Sequence, residues 1–393
     1  MVELFSDKKN CSGCTACQHI CPVGAITMES DSEGFLYPHI NKKVCTECMA
    51  CVNVCPLKKN GHYATENFDI PKVYGVKHKS AEVLAESTSG GLFTAISDYV
   101  LENKGYIVGA AYDESFSVRH IIVNTVEGRN RLRGSKYVQS RKGNVFPEVK
   151  KLLKNGNLVY FTGLPCEVTG LHAFLQKKYD NLITSDLICY GAPSPQIFSD
   201  YLNSIREKYK NDTVCSINLR SKKKGWNNPH ISVHMLHNNY LRDYYTDSFG
   251  RLFFKNIILR PSCYNCKFSS HNRLSDITLA DFWGIEKSHP EFFDNRGVSL
   301  ALINTTIGYQ VFEYIKDKID WIESSINNCI QPNLYKPSKA PSYREAFWND
   351  YHRYGYTYIQ KKYIGSALKN RIKSQYLYPL LKRLWILKLL KKE

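Results

Sequence analysis

The chain begins without an apolar run: Met1 to Asn10 holds none, so no secretory signal is expected. Acidic residues are scarce, with 36 Asp and Glu against 53 Lys and Arg and a formal net charge of +17. That imbalance alone would suit nucleic acid, anionic lipid or acidic small molecules. No helix-turn-helix, RNA-binding or zinc-finger signature goes with it, so nucleic acid is excluded from the expected partners. Much of the excess lies at the C-terminal end, where Lys361, Lys362, Lys369, Arg371, Lys373, Lys382, Arg383, Lys388, Lys391 and Lys392 meet only Glu393. The tail also lacks a membrane span. Its apolar stretch, Tyr376 to Leu390, is interrupted by Lys382, Arg383 and Lys388 and falls short of the ~20 residues that crossing requires. It reads as an amphipathic helix after Pro379. Such a helix either lies peripherally on an anionic membrane, with Trp385 at the boundary, or docks on the body or on a second subunit.

What the chain does have is cysteine. Fourteen of them without a secretory signal read as metal ligands in a reducing, cytoplasmic compartment rather than as disulfides. One pattern is spelled twice, as Cys11, Cys14, Cys17, Cys21-Pro22 and, 45 − 11 = 34 residues on, as Cys45, Cys48, Cys51, Cys55-Pro56. This C-x-x-C-x-x-C-x-x-x-C-P run is the bacterial-ferredoxin signature of two [4Fe–4S] clusters. Three thiolates two residues apart wrap one cubane, and the fourth, before the proline, ligates the other. The expected sets are therefore Cys11, Cys14, Cys17 and Cys55, and Cys45, Cys48, Cys51 and Cys21. Zinc sites use pairs of Cys-x-x-Cys instead. The pattern points to electron transfer.

At 393 residues, 43% of them hydrophobic, the chain has room for two or three domains with real cores. Residues 1–60 read as the ferredoxin module, with a hairpin from Ile26 to Ile40 around Asp31-Ser32-Glu33-Gly34. Lys58 to Pro71 reads as a linker. Strands and helices then alternate: strand Val73–Lys77, helix Gly91–Lys104, strands Tyr106–Ala111 and Arg119–Asn124, and a helix near Phe146–Lys154. Strand Leu158–Thr162, helix Glu167–Lys178, strand Leu182–Cys189 and helix Gln196–Tyr209 follow. The expected fold is α+β, a mixed α/β body with a largely buried sheet, divided as 72–155 and 156–335. Val233–His237 and Leu241–Tyr245 form an expected hairpin around Asn238-Asn239. Residues 338–393 make a basic, aromatic, helical tail.

A second group of cysteines lies in this body. Cys166 follows the strand Leu158–Thr162, and Cys189 ends the strand Leu182–Cys189. Neighbouring strands of a β-α-β unit place their carboxyl ends side by side, where ligands gather. Cys263 and Cys266 add a Cys-x-x-Cys pair. Four thiolates suffice for a third [4Fe–4S] cluster. Two buried cysteines plus a zinc-binding or unliganded pair is the alternative on these residues alone. Cys215 and Cys329 stand apart as core or surface residues.

Glycine and hydroxyl groups cluster as well. Thr88-Ser89-Gly90-Gly91 precedes a helix, suiting either a phosphate or flavin edge or an ordinary helix cap. Gly134-Ser135-Lys136-Tyr137 is a second such loop. Asp276 to Gly284 is a buried-strand run ending in Asp281, Phe282, Trp283 and Gly284.

Taken together these stretches resemble the coenzyme F420 hydrogenase/dehydrogenase β-subunit family, in its bacterial branch with a fused ferredoxin. The matching segments are Thr88–Gly91, Gly134–Tyr137, Gly163-Leu164-Pro165-Cys166 with Gly170-Leu171, Asp186–Gly191, Arg260–Cys266 and Ala280–Gly284. They run in family order over roughly residues 1–305. The chain departs at Tyr190, where the family often has His, and at Ala280-Asp281, where it often has Gly-Asp-Phe. The resemblance implies FAD beside a [4Fe–4S] cluster, with Cys166, Cys189, Cys263 and Cys266 as third-cluster ligands. It places Thr88, Ser89, Gly90, Gly91, Ser135, Lys136, Tyr137, Gly163, Asp281, Trp283 and Gly284 near flavin or substrate. It further implies an oxidoreductase taking electrons from external ferredoxin or another redox partner to a hydride-exchanging small molecule. Reduction of a sugar or nucleotide-sugar for surface polysaccharide, or a non-catalytic role in electron transfer within a larger assembly, are the alternative readings.

Overall fold

The computed structural model describes residues 2–58, 67–329 and 331–365. The chain divides into two compact units, one of Met1–Pro195, Gly225–Asn227 and Leu259–Ser338, the other of the remainder.

In the first unit, helices α1 (Ala16–Ile20) and α2 (Ala50–Asn53) flank the hairpin β1 (Ile26–Ser30) and β2 (Leu36–Ile40). Asp31 closes that hairpin by accepting the Glu33 and Phe35 amides on Oδ1 at 3.1 and 2.9 Å, and Gly34 supplies the positive φ of +84°. The body then runs β3 (Asn67–His78), α3 (Ala81–Glu86), α4 (Leu92–Glu102), β4 (Tyr106–Tyr112), β5 (Val118–Val123), α5 (Val126–Leu132) and α6 (Val145–Lys154). It continues through β6 (Val159–Thr162), α7 (Pro165–Leu175) and β7 (Leu182–Leu187). The second unit takes α8 (Pro195–Lys208), β8 (Val214–Ser221), β9 (His230–Met235), β10 (Asn239–Asp243) and α9 (Ser248–Phe254). The chain returns to the first unit with β11 (Ile277–Asp281), α10 (Ile285–Ser288), β12 (Ser299–Thr305), α11 (Thr306–Ile315) and β13 (Ile319–Ser324). Helix α12 (Arg344–Ile359) and a π-helical turn at Gln360–Ile364 belong to the second unit.

The body is one eight-stranded sheet, ordered β13-β3-β12-β11-β7-β6-β4-β5. Its centre is apolar on both faces because helices cover both. Along β12, Ala301 and Ile303 join α4 and α11 on one side, whereas Leu300 and Leu302 join Phe282, Ile285 and Trp226 on the other. The same alternation sends Tyr160 of β6 to the α4 side, and Val159 and Phe161 to α6 and α7. Ala16 and Val54 of the ferredoxin module pack into that last layer. Strands β4, β6, β7 and β11 run parallel, so their carboxyl ends share one edge.

The expected mixed α/β body is present, with three differences. Strand β3 starts at Asn67, inside the expected linker, because it pairs with β12 and β13 on its two sides. The expected split at residue 155 cuts through the single sheet; the real division sets residues 196–224 and 228–258 apart with α12. The hairpin β9–β10 pairs His234 with Asn239, so its turn lies at residues 236–238, earlier than Asn238-Asn239. The second unit is knit by Asp247, which is buried, accepts the Tyr201 and Tyr240 hydroxyls at 3.0 and 2.5 Å, and caps α9 through the Gly250 amide. No described helix is long and apolar enough to cross a membrane. The expected interfacial helix at 376–390 lies outside the described residues.

Candidate metal centres and the carboxyl edge

The two cysteine runs fold into copies of one loop. In each, the second and fourth residues after the first cysteine are left-handed: Gly13 and Thr15 at φ +71° and +72°, Glu47 and Met49 at +53° and +59°. For Thr15, Glu47 and Met49 this costs on the order of 1 kcal/mol apiece, strain that persists where a site demands it. The bend aims amides at sulfur: Gly13, Ala16 and Ala50 donate to Cys11, Cys14 and Cys48, and Ala25 to Cys21 at 3.3 Å. Cys11, Cys14, Cys17 and Cys55 line one cavity of about 410 Å³. Cys21, Cys45, Cys48 and Cys51 line another of about 310 Å³. The structure thus makes both swapped sets, called proximal and distal below. Burial pushes Cys14 up to about 11 and raises Cys11, Cys17 and Cys51, so a bound cluster must displace protons there.

Cys166, Cys189, Cys263 and Cys266 line a third cavity, about 670 Å³ with its open mouth included. Cys166 sits in the first turn of α7 behind Pro165, where unpaired amides favour an anion. The Gly191 amide donates to Cys189, and the Ala192 amide to Cys263 at 3.3 Å. Burial raises Cys166 and Cys189 well above the usual thiol range. Ser12 and Leu57 line both this cavity and the proximal one, so the two adjoin. Gly170 of α7 makes the contact: a Cβ there would lie 2.6 Å from Cys14 Cβ. Among the described residues no three Cys, His, Asp or Glu converge as a site for one metal ion. The cysteines stand around cavities instead.

Polar groups that no motif announced surround these cavities. Glu167, buried beside Cys166, pairs with Lys142, accepts the Leu164 amide at 2.9 Å, and lies 3.6 Å from His120 Nε2. Despite its burial, Lys142 and His120 hold this carboxyl below its ordinary range. His120 Nδ1 meets Ser140 Oγ at 2.7 Å, and burial lowers its ring to about 4. Arg260, 1% exposed, donates to the Cys11 and Leu36 carbonyls at 2.8 and 3.0 Å and to Gln139 Oε1 at 2.8 Å. Its Nη2 lies 3.7 Å from Cys11 Sγ, and its guanidinium covers the Tyr37 ring at 4.1 Å.

The remaining predicted residues also fall on the carboxyl edge. Thr88 Oγ1 accepts the Ser135 amide at 3.2 Å, joining the two glycine–hydroxyl loops. Ser89 Oγ donates to the Val298 carbonyl, and Lys136 Nζ to the Arg131 and Arg133 carbonyls at the end of α5. Burial lowers Lys136 to about 7. Tyr137 is half-buried on the same loop. The glycines serve the protein itself: a Cβ on Gly90 would lie 2.0 Å from the Val76 carbonyl oxygen, and one on Gly91, at φ +86°, 2.9 Å from His78 Cβ. Gly163, at the end of β6, leaves its room to Glu167 Oε2 at 3.0 Å. Asp281 accepts Trp226 Nε1 at 2.8 Å, Trp226 stacks on Trp283 at 4.8 Å, and Gly284 starts α10 at φ +91°.

Residues 10–59 match the 4Fe–4S dicluster domain, and residues 156–327 match the C terminus of the coenzyme F420 hydrogenase/dehydrogenase beta subunit. The F-type subunit of the F(420)H(2) dehydrogenase of Methanosarcina mazei is 27% identical over 166 residues, 40% of this chain. That match spans 46% of the relative's length. A chain of the F420-reducing [NiFe] hydrogenase complex from Methanosarcina barkeri aligns at a TM-score of 0.45 with 18% identity, covering 69% of this chain and 87% of that one. The chain is thus an iron–sulfur protein of the coenzyme F420 hydrogenase/dehydrogenase β-subunit family, its family domain joined to an N-terminal 4Fe–4S dicluster domain.

Proposed function

We propose that this chain is a flavin-dependent iron–sulfur oxidoreductase exchanging electrons between an external ferredoxin-type carrier and a hydride-exchanging small molecule of the deazaflavin class. The observation that carries this reading is the row of three cysteine-lined cavities, the proximal one sharing Ser12 and Leu57 with the third. The third cavity fits a cluster in its donor set, four cysteines approached by amide donors. Bound clusters would supply single-electron storage, and a bound FAD the conversion between single electrons and hydride.

Within this reading the protein's own groups have distinct tasks. Cys166, Cys189, Cys263 and Cys266 hold the third cluster, and the α7 terminus stabilises its negative charge. The carboxyl edge fits a flavin through the Thr88–Ser135 hydroxyls, Tyr137 and the α4 terminus, but not through Gly90 and Gly91, whose space is filled. Trp283, 39% exposed on its Trp226 support, gives the edge an aromatic surface.

The test is composition after anaerobic purification. About twelve irons and twelve sulfides per chain are expected, four for each cubane, together with FAD. Cys166→Ala should leave about eight irons, with both ferredoxin signals intact in electron paramagnetic resonance. Eight irons in the unsubstituted protein would remove the third cluster. Absence of flavin would leave an electron-transfer protein without hydride chemistry.

A further inference from the structure

Arg260 is a cation with an unusual place. It is 1% exposed, and among the described residues it pairs with no carboxylate. A buried charge is costly unless compensated. Two carbonyls, one amide oxygen and the Tyr37 ring compensate it only in part. The one anionic group at its guanidinium is the Cys11 sulfur at 3.7 Å. Lys142, the buried cation near Cys14, is neutralised by Glu167. No lysine or arginine lines the distal cavity. Arg260 also lines the third cavity, three residues before Cys263, so it stands between the proximal and third cysteine sets.

We propose that Arg260 tunes the proximal cluster, raising its reduction potential above that of the distal cluster so that an electron entering the ferredoxin module settles beside the third cysteine set. This rests on the cluster reading above. The physical reason is charge. Four thiolates outweigh the positive core of a [4Fe–4S] cluster, so the group is anionic in both states and gains one negative charge on reduction. A fixed cation beside Cys11 stabilises the reduced state more than the oxidised one. The step is one electron from a one-electron carrier; no bond forms or breaks, and no proton moves. Reach and rigidity make arginine suitable: one planar group bonds Cys11 and Leu36 of the module and Gln139 of the body, fixing the charge in place.

The experiment is a potentiometric titration of the full chain with dithionite, followed by electron paramagnetic resonance. In Arg260→Gln the reduced-to-oxidised ratio of one ferredoxin cluster at fixed potential should fall at least about tenfold, ~59 mV for a one-electron couple. The other should not move. Arg260→Lys should stay near the original value. Gln139→Glu, which keeps Arg260 and sets a carboxylate against it, should lower the same cluster even if Arg260→Gln fails to fold. A loosened, wetter site would shift the potential upward, since water favours the more charged state. Unchanged potentials, an upward shift, or a fall in Arg260→Lys equal to that in Arg260→Gln overturns the inference. Absence of two ferredoxin-type signals in the unsubstituted protein removes the cluster reading, and the inference with it.

Discussion

A few side chains decide the chemistry through what surrounds them. His120 is the clearest case, its ring stacked on Phe161 and held at about 4 by burial although Glu167 is 3.6 Å away. The sign follows directly. Below about 6.5 the unfolded chain binds a proton that the folded chain refuses until about 4, so stability falls as pH drops through that window. His120 should account for about 2 kcal/mol of stability lost between pH 7 and 5. Denaturant titrations at the two pH values should show a smaller loss in His120→Asn; equal losses would mean that burial does not hold the ring neutral. The flavin edge invites a second test. Thr88→Val removes the hydroxyl that accepts from Ser135 at a position with no filled glycine space, and should lower bound FAD with the fold retained. Full flavin occupancy in a folded Thr88→Val protein would move the flavin off this edge. Gly91→Val cannot serve here, because its φ of +86° and the nearby His78 predict lost stability whether or not flavin binds.

Helix α7 does several things at once. Its first turn carries Cys166 and Glu167, its N1 proline sets the turn, and Gly170 lets it touch Cys14. A methyl group at position 170 meets Cys14 Cβ at 2.6 Å, well inside contact distance. Gly170→Ala should therefore cost about 1–3 kcal/mol in thermal or denaturant unfolding and distort the proximal resonance signal while sparing the distal one. An unchanged proximal signal would show that α7 does not fix that site. The helix itself was legible to within a few residues, since Gly163-Leu164-Pro165 ends a strand and opens a helix. Its contact with Cys14 was not. A glycine in a helical pattern reads equally as a weak point or a close approach, and only the partner distinguishes them. Strands β12 and β13 and helices α5, α9 and α11 went unassigned for a related reason. β12 is buried along its whole length and shows no alternation, so its sequence resembles any short apolar run.

At the scale of the whole molecule, the ferredoxin module packs on the α6–α7 layer of the first unit, which brings the proximal cavity against the third. The sequence by itself determined the two ferredoxin cysteine sets, the mixed α/β class and the carboxyl-end position of Cys166 and Cys189. Each depends on local spacing: thiolates must reach one small cofactor, and strands must alternate with helices to cover a sheet. Tertiary structure alone brought Cys263 and Cys266 to the same cavity, buried Arg260 against Cys11 across 249 residues of sequence, and gave Gly90 and Gly91 to the packing of β3 and β12 instead of to a ligand. It also drew the unit boundary, because β11 to β13 return to the sheet that β3 begins. A spacing rule reports only what neighbours in the chain can do together. The partner of a buried charge, and the atom that fills the space above a glycine, are fixed when distant segments close on one another.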